Sequence, residues 1–407
     1  MATLLAIINT HIMTDIYQQA LNYHQQNTGK LGTSSVVGEI KTKEDLSLAY
    51  TPGVAEPCRL IAKDKNATYT HTLKGRTIAV ISDGSAVLGL GNIGAEAALP
   101  VMEGKALLIK QFGNIDAFPL VINAHKPLEI IDFVKQVAPT FAGINLEDIA
   151  APVCFQVEEA LQDIGIPVFH DDQHGTAIVV RAALMNASKV VDKPYETLKV
   201  GIIGAGAAGL AIARMILGLN CTADTCSRAH NAHHVADVIV FDRQGALYAG
   251  REGQNIYKQA IAGLSNRERK AGRPEDALHN FDVVIGVSGP GSITPETIGI
   301  LAKKSIVFAM ANPTPEIMPD EAKKAGAYIV ASGRSDFANQ INNVLAFPGI
   351  FQAVVKGRLK TITYPMKEAA SNAIADAVVN PTVDEIIPSV FNPGLAEKVA
   401  EAVLKNK

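Results

Sequence analysis

The sequence lacks any apolar run long enough to cross a membrane, and its charges are nearly balanced. A membrane-spanning helix needs roughly 20 mostly apolar residues, and no stretch of the 407 residues approaches that length. The opening MATLLAIINTHIM has no basic start and no clear cleavage site, so we expect a cytoplasmic protein. The net charge of −3, without a long Lys/Arg stripe, argues against nucleic acid or a membrane as partner and favours a small molecule.

Cysteine is scarce in a chain of this length. The four cysteines are Cys58, Cys154, Cys221 and Cys226. They match neither a disulfide framework nor a CxxC zinc module, so we expect reduced thiols. The segment NCTADTCSRAHNAHHVAD also carries His230, His233 and His234. Its Cys and His spacing is looser than zinc sites use, and we interpret it as an exposed insertion rather than a metal site.

Apolar runs alternate with helical stretches, which predicts an α/β fold. With 48% apolar residues, the chain can form two or three domains. The predicted strands are Thr77–Ser82, Ala106–Lys110, Pro119–Asn123, Lys199–Ile203, Val238–Phe241, Val283–Val287, Ser305–Ala309 and Ala327–Val330. The predicted helices include 13–27, Glu96–Glu103, Leu128–Val137, Val153–Ile164, Gly175–Ser188, Lys367–Val379 and Gly394–Leu404.

The polar connection VVDKPYETLK marks a boundary near residue 190. We predict a substrate- and metal-binding α/β domain over 1–190 and a Rossmann-type doubly wound parallel sheet over 191–345. A C-terminal helical segment over 346–407 is expected to pack back on the first domain. We attach no function to residues 1–12, since a polar helix can begin at Met13.

The loop VGIIGAGAAG follows a predicted strand and opens an apolar helix, as a dinucleotide-binding loop requires. Gly204 permits the tight turn, Gly206 lets backbone approach a pyrophosphate, and Gly209 allows close helix packing. Asp242 ends the strand VIVFD, where a carboxylate binds the adenine ribose and repels a 2′-phosphate. This favours NAD, although the adjacent Arg243 leaves NADP possible.

Two acidic clusters, NLEDIA and FHDDQHGT, lie one predicted helix apart ahead of the glycine loop. Mg²⁺ and Mn²⁺ prefer carboxylate oxygens and leave coordination positions for a chelating substrate. Glu147, Asp148 and one of Asp171 or Asp172 would suffice as ligands. The clusters therefore predict a divalent metal beside a nicotinamide.

Several long motifs, in this order, resemble the shorter bacterial malic enzymes from about Gly38 to Ala375. They are SLAYTPGVAEPC, SDGSAVLGLGNIGAEAALPVMEGKALLIKQF, INLEDIAAP, FHDDQHGTAIV, FAMANPTPEI and SGRSDFANQINNVLAFPGIFQ. The resemblance implies oxidative decarboxylation of L-malate to pyruvate and CO₂, in a homodimer or higher homo-oligomer.

The resemblance also implies roles for individual residues. Lys105 in MEGKALL is the expected base, and Tyr50 in AYTPG is the expected acid that protonates the enol of pyruvate. The implied metal ligands are Glu147, Asp148 and Asp172, while Asp171 orients a ligand or tunes Lys105. Asn312 and Asn343 are expected to bind malate, and Asn312 also lies beside the nicotinamide. The flanking His170 and His174 are expected to serve in packing or as second-layer groups, because hard cations prefer oxygen.

One departure concerns malate's second carboxylate. Longer family members carry an arginine where this chain has Ala86, and Arg334 or a residue of a neighbouring subunit is a candidate replacement. A malolactic enzyme, which releases lactate, and an oxaloacetate decarboxylase remain alternatives on the same fold. A catalytically silent dinucleotide sensor or an amino-acid dehydrogenase would not need the metal cluster.

Overall fold

The computed structural model describes residues 16–221 and 226–407, and it contains two parallel sheets and one small hairpin. The strands are β1 (Thr77–Ser82), β2 (Asp116–Val121), β3 (Gly143–Leu146), β4 (Val168–His170), β5 (Lys199–Ile203), β6 (Leu219–Cys221), β7 (Cys226–Arg228), β8 (Asp237–Asp242), β9 (Gly245–Ala246), β10 (Val283–Gly286), β11 (Ile306–Ala309) and β12 (Ile329–Ser332). The fold class is α/β, as predicted, and β1 and β5 have the predicted bounds.

Helices cover the faces of both sheets. They are α1 (16–27), α2 (Lys43–Ala49), α3 (Ala55–Lys63), α4 (Thr68–His71), α5 (Ala95–Gly113), α6 (Pro127–Val137), α7 (Val153–Ala160), α8 (Asp171–Val191), α9 (Ala207–Ile216), α10 (Ile256–Ala262), α11 (Pro274–Ala277), α12 (Pro295–Gly299), α13 (Pro319–Lys324), α14 (Phe347–Gly357), α15 (Tyr364–Ala375) and α16 (Leu395–Lys405). Residues 1–15 lie outside the described part, so the expected start of a helix at Met13 is not described.

The first sheet has the strand order β2-β1-β3-β4, and all its strands are parallel. Every residue of β1, β3 and β4 is buried, as expected when helices cover both faces of a parallel sheet. In the register, Leu146 lies opposite His170, so the turns that follow β3 and β4 leave the sheet side by side.

The predicted strand Ala106–Lys110 is wrong, because this segment belongs to the 19-residue helix α5. The buried residues of α5 recur every three to four positions, which is helical periodicity. They are Ala95, Ala98, Met102, Lys105, Ala106, Ile109 and Gly113. The short apolar run ALLI is compatible with a strand or a helix. The buried positions that precede it show helical spacing and therefore indicate a helix.

The second sheet has the strand order β12-β11-β10-β5-β8-β9 and is parallel apart from the short edge strand β9. Its central strand β5 leads into the glycine loop and helix α9, as in a Rossmann-type fold.

Helix α8 joins the two sheets, because it begins directly after β4 and runs for 21 residues towards β5. Helices α9 and α15 pack along it, and most of its residues are buried. Helix α14 returns to α5 of the first sheet, where Gln352 donates a hydrogen bond to the Gly113 carbonyl. The C-terminal helices thus pack on the first sheet, while the predicted domain limits stay predictions.

The segment expected to be an exposed insertion begins with the hairpin of β6 and β7. Cys221 and Cys226 are opposite each other in this hairpin and form a disulfide, so the expectation of reduced thiols is wrong for these two. Pairing of the two strands places these cysteine side chains next to each other. Their spacing in the sequence alone did not indicate a disulfide. Cys58 and Cys154 are free thiols.

In the part of the chain that the structure describes, no helix is both long enough and apolar enough to cross a membrane.

Candidate active site

A cavity of about 870 Å³ lies where the two sheets face each other. Its walls come from helix α5, from the turns after β3 and β11, from the glycine loop after β5 and from the first turns of α8. The carboxyl ends of parallel strands are the usual ligand-binding edge of α/β proteins. The cavity is within the size range of small-molecule sites.

Lys105 is the central charged group of this cavity. Helix α5 buries it so that only 7% of its surface is exposed. Its Nζ lies 2.5 Å from Oδ2 of Asp171 and 2.8 Å from Oε1 of Glu147. The Phe347 ring covers the same ammonium at 4.2 Å from Nζ to the ring centroid, which limits the access of water.

The acidic residues meet because their strands are neighbours. Glu147 directly follows β3 and Asp171 directly follows β4, and the parallel register places the two strand ends together. Two further bonds fix the cluster: Asn145 donates to Oε2 of Glu147 at 2.7 Å, and the Asp148 backbone N–H donates to Oδ2 of Asp172 at 2.8 Å.

Burial and charge act in opposite directions in this cluster. Burial alone would lower the pKa of Lys105, but the Asp171 and Glu147 carboxylates outweigh it and raise the pKa above its ordinary value. Lys105 is therefore an ammonium ion. Burial raises the pKa of Glu147 to about 7 and that of Asp172 to about 6, although Lys105 opposes both changes. One ammonium does not balance the surrounding carboxylates.

This imbalance bears on the predicted metal ligands. Glu147, Asp148 and Asp172 all line the cavity, and all offer the oxygen donors that Mg²⁺ or Mn²⁺ prefers. Among residues 16–221 and 226–407, however, no three His, Cys, Asp or Glu side chains are arranged as a metal site. Both oxygens of Glu147 are engaged by Lys105 and Asn145. The donors and the excess negative charge thus suit a divalent cation, and binding would require Glu147 to exchange partners.

The glycine loop has the conformation that its sequence predicts. Gly204 has φ +126°, which favours glycine, and Gly206 caps the N-terminus of α9 and lines the cavity. Gly209 packs so closely that a Cβ there would lie 1.7 Å from the Gly204 carbonyl oxygen.

Asn312 and Asn343 both line the cavity, and their role in binding substrate stays a prediction. The Asn343 side chain also lies near Asp171 and acts to lower the pKa of that carboxyl. Sequence reasoning missed Glu316, a buried acid at the end of the ANPTPE motif. Its carboxylate accepts the backbone N–H groups of Ser288 and Ala311, at 2.8 and 2.9 Å, and so fixes two cavity-lining turns.

Asp242 lies at the end of β8, where a ribose-binding acid is expected, but its charge is already compensated. Arg251 donates to both carboxylate oxygens, at 2.9 and 2.5 Å, and the Lys258 ammonium lies 2.7 Å from Oδ2. Burial alone would raise the pKa of Asp242, but these partners, Arg251 first, hold it well below its ordinary value. Together, the two cations and the Asp242 carboxylate carry a net positive charge.

Comparison with known proteins decides the family. The sequence matches the family model "Malic enzyme, N-terminal domain" over residues 29–129 and "Malic enzyme, NAD binding domain" over residues 173–407. The chain belongs to the malic enzyme family. It is accordingly an oxidoreductase with an NAD-binding domain.

Individual malic enzymes are similar over nearly the whole chain. A bifunctional malic/malolactic enzyme of Bacillus subtilis is 50% identical, with 95% of this chain and 92% of the relative covered. An NAD-dependent malic enzyme of Geobacillus stearothermophilus is 48% identical, covering 93% and 76%. A probable NADP-dependent malic enzyme of Rickettsia prowazekii is 43% identical, covering 95% and 51%. The crystal structure of an NAD-dependent malic enzyme from Thermotoga maritima superposes with a TM-score of 0.87 at 46% identity, covering 95% and 98%.

Two residues expected in the malic enzyme site lie outside the cavity lining. Tyr50 ends helix α2 with 67% of its surface exposed, so this chain does not bring it to its own Lys105. Arg334 pairs with Asp336 at 2.7 Å instead of facing the cavity. Lys30, which sequence reasoning missed, does line the cavity. Its burial lowers its pKa, and its Nζ donates to the Pro100 carbonyl at 2.8 Å.

His170 and His174 follow their expected role as packing groups only in part. His170 is completely buried, and burial lowers the pKa of both rings to about 4. His174 instead pairs with Glu158 at 2.8 Å, on the side of α8 that faces away from the Lys105 cluster.

Two substitutions in the glycine loop distinguish its role in helix packing from its role in nucleotide binding. We expect Gly209→Ala to lower the free energy of unfolding by about 1–3 kcal/mol, since the new methyl overlaps the Gly204 carbonyl. Gly206→Ala is the matched control, because a Cβ there meets nothing within 4 Å. It should keep the thermal midpoint of the parent and weaken nucleotide binding by obstructing the pyrophosphate. Thermal unfolding and calorimetric titration with NAD measure both effects. Equal midpoints for the two variants would contradict this assignment.

Proposed function

We propose that this chain catalyses the metal-dependent oxidative decarboxylation of L-malate to pyruvate and CO₂ with reduction of NAD. The observation that carries the proposal is one cavity lined by Lys105, by the Glu147 and Asp172 carboxylates and by the glycine loop at Gly206. The names of the relatives support it, and one of them adds malolactic activity. Malate to lactate and oxaloacetate decarboxylation remain the alternative outcomes.

The first step needs a base for the malate hydroxyl while hydride leaves the same carbon for the nicotinamide. Lys105 is held as an ammonium, so it must first release a proton, and Oδ2 of Asp171 at 2.5 Å is the nearest acceptor. Burial raises the pKa of Asp171 to about 7, against the pull of Lys105, so this carboxylate accepts a proton more readily than an exposed aspartate, while the resting proton stays on Lys105. Lys105 and Asp171 then act as one proton-transfer pair.

A divalent metal would be held by Glu147, Asp148 and Asp172, and when bound it would polarise the malate hydroxyl and the later ketone. Asn312 and Asn343 offer amide donors to the substrate from the lining of the same cavity. Lys30 is our candidate countercharge for malate's second carboxylate in place of the arginine missing at Ala86, because it is a cation that lines the same cavity.

The last step protonates C3 of the enol, a role proposed for Tyr50. Tyr50 belongs to a segment that is poorly buried, since helices α2 and α3 have no buried residue. Large apolar side chains are exposed along it: Tyr17, Leu21, Tyr23, Leu46, Leu48 and Leu60. Exposed apolar patches of this kind mark interaction surfaces. We therefore propose a homodimer in which this segment covers a second copy and Tyr50 serves the partner's cavity.

The cofactor choice follows from Asp242. Its carboxylate would favour NAD, but Arg251 and Lys258 cancel its repulsion of a 2′-phosphate. We propose that NAD is used and that NADP is accepted as well.

Metal-free protein incubated with L-malate and Mn²⁺, with NAD or NADP in parallel, should form pyruvate and reduced cofactor in equal amounts. Lys105→Ala should lower kcat by about 10²–10⁴, the usual contribution of a positioned base. Lys110→Ala on the same helix, where the side chain is half exposed, is the matched control and should retain activity. Lactate without net cofactor reduction would establish malolactic chemistry, and product only from oxaloacetate would exclude both.

The charges around Asp242 should set cofactor preference. We expect Lys258→Gln and Arg251→Gln to lower kcat/KM for NADP relative to NAD by roughly tenfold, which corresponds to about 1.4 kcal/mol. Asp242→Asn should change the ratio in the opposite direction. The exposed Arg267→Gln serves as the control for total charge. A ratio that stays constant in all variants would show that the ribose binds away from Asp242.

Mixing two inactive variants tests the origin of Tyr50. In a two-fold dimer, Tyr50→Phe mixed with Lys105→Ala creates one intact site in each heterodimer, so about a quarter of parental activity should return after random reassociation. Lys105→Ala mixed with Asp171→Asn should recover nothing, since both residues lie in the same cavity. Absence of recovery in the first mixture, with heterodimers present, would place Tyr50 at its own subunit's site.

A further inference from the structure

A second cavity, of about 570 Å³, lies on the other side of helix α8. Its walls come from α7, α8, α9, strand β6 and the residues that lead into α15. No described residue lines both cavities. The second cavity also falls within the size range of small-molecule sites.

Its lining combines apolar walls with two cations. Phe155, Met215 and Ile362 supply apolar surface, while Lys367 and Arg214 reach the same space from α15 and α9. The N-terminus of the 12-residue helix α15 also opens into this cavity. A helix N-terminus carries partial positive charge, so it adds to the field of the two cations.

Lys367 forms a hydrogen bond to His174, and its ammonium has further N–H donors. Its ammonium can only donate, so Nδ1 of His174, 3.0 Å away, is the acceptor. Nε2 of His174 then carries the proton and donates to Oε1 of Glu158 at 2.8 Å. Burial lowers the pKa of Lys367 to about 8, Glu158 opposes this change, and the nearby Arg214 adds to it. Two like charges are thus held close together.

The acidic groups of this cavity are already occupied or exposed. Glu158 accepts from His174, from Gln173 and from the His170 backbone N–H, while Glu159 accepts from the Tyr257 hydroxyl. Asp163 is exposed to solvent. By contrast, Nε of Arg214 is buried and has no hydrogen-bond partner among the residues that the structure describes.

We propose that this second cavity binds a small organic or inorganic anion, a carboxylate or a phosphate, through Arg214 and Lys367. Arg214 offers its unfilled Nε–H, and Lys367 offers the N–H groups that do not bond to His174. The apolar walls suit a short carbon chain on the carboxylate.

Binding there affects the catalytic cavity through helix α8. Gln173 and His174 face the second cavity, and Asp171 and Asp172 in the same helical turn belong to the Lys105 cluster. An anion that draws Lys367 away from His174 weakens the bonds that fix this turn.

Calorimetric titration of the full-length protein with succinate and with inorganic phosphate tests the site, and succinamide is the uncharged control. Arg214→Gln and Lys367→Gln should each weaken binding at least tenfold, and Lys367→Arg should preserve it. Lys324→Gln, an exposed charge on α13, should leave the affinity unchanged. The anion that binds identifies the ligand as a carboxylate or a phosphate.

Affinity unaffected by either the Arg214 or the Lys367 substitution would show that the anion binds elsewhere, and no binding of either probe would overturn the proposal. Succinate held in the catalytic cavity would appear as a component that both variants retain. Thermal midpoints of the variants check that they fold. The titration requires no turnover, so it stands even if the proposed reaction fails.

Discussion

Burial of the Lys105 ammonium among carboxylates is the constraint on which the rest of the site depends. A lysine with 7% exposure loses its hydration, and only the carboxylates at 2.5 and 2.8 Å compensate for that loss. Breaking such a buried pair typically costs about 3–5 kcal/mol, because one charge is left without a partner. The positions of Glu147 and Asp171 are therefore as restricted as that of Lys105. The same arrangement leaves excess negative charge, which explains why a divalent cation suits a site that already holds an ammonium.

The sheet supplies this geometry at little further cost. Glu147 and Asp171 are 24 residues apart in sequence, yet each is the first residue after a strand, and those strands are hydrogen-bonded neighbours. Helix α5 then places Lys105 across from both. The second sheet repeats the principle, since the Gly204 turn and Asn312 also follow the carboxyl ends of strands. The turns after strands of both sheets thus line one cavity.

The sequence was most informative where the chemistry is local. Strand β5 and the glycine loop could be predicted because tight turns impose glycine at fixed offsets, and the long motifs identified the family. The sequence motif singles out Lys105, which the structure places among buried carboxylates, although the run ALLIK beside it is assigned to a strand, since a short apolar run fits either period. The disulfide of Cys221 with Cys226 depends on a hairpin that leaves no distinctive pattern.

Other features depend on contacts with residues that the local sequence does not identify. Asp242 ends its strand as expected, but the cations that neutralise it come from 9 and 16 residues downstream, in a turn and a helix. Tyr50 lies in the expected motif, but it is exposed and lies outside the cavity lining, in a segment whose helices α2 and α3 have no buried residue.

Helix α8 links these observations, because its first turn separates the two cavities. A Cβ at Gly175 would lie 1.8 Å from Oδ1 of Asp171, so glycine is what lets this carboxylate fold back against its own helix and reach Lys105. One position earlier, His174 faces the opposite side and pairs with Glu158 and Lys367. A helix of 21 residues packed on both flanks cannot shift one of these groups without moving the other. The contacts of His174 in the second cavity and of Asp171 with Lys105 in the first are therefore properties of the same turn of helix.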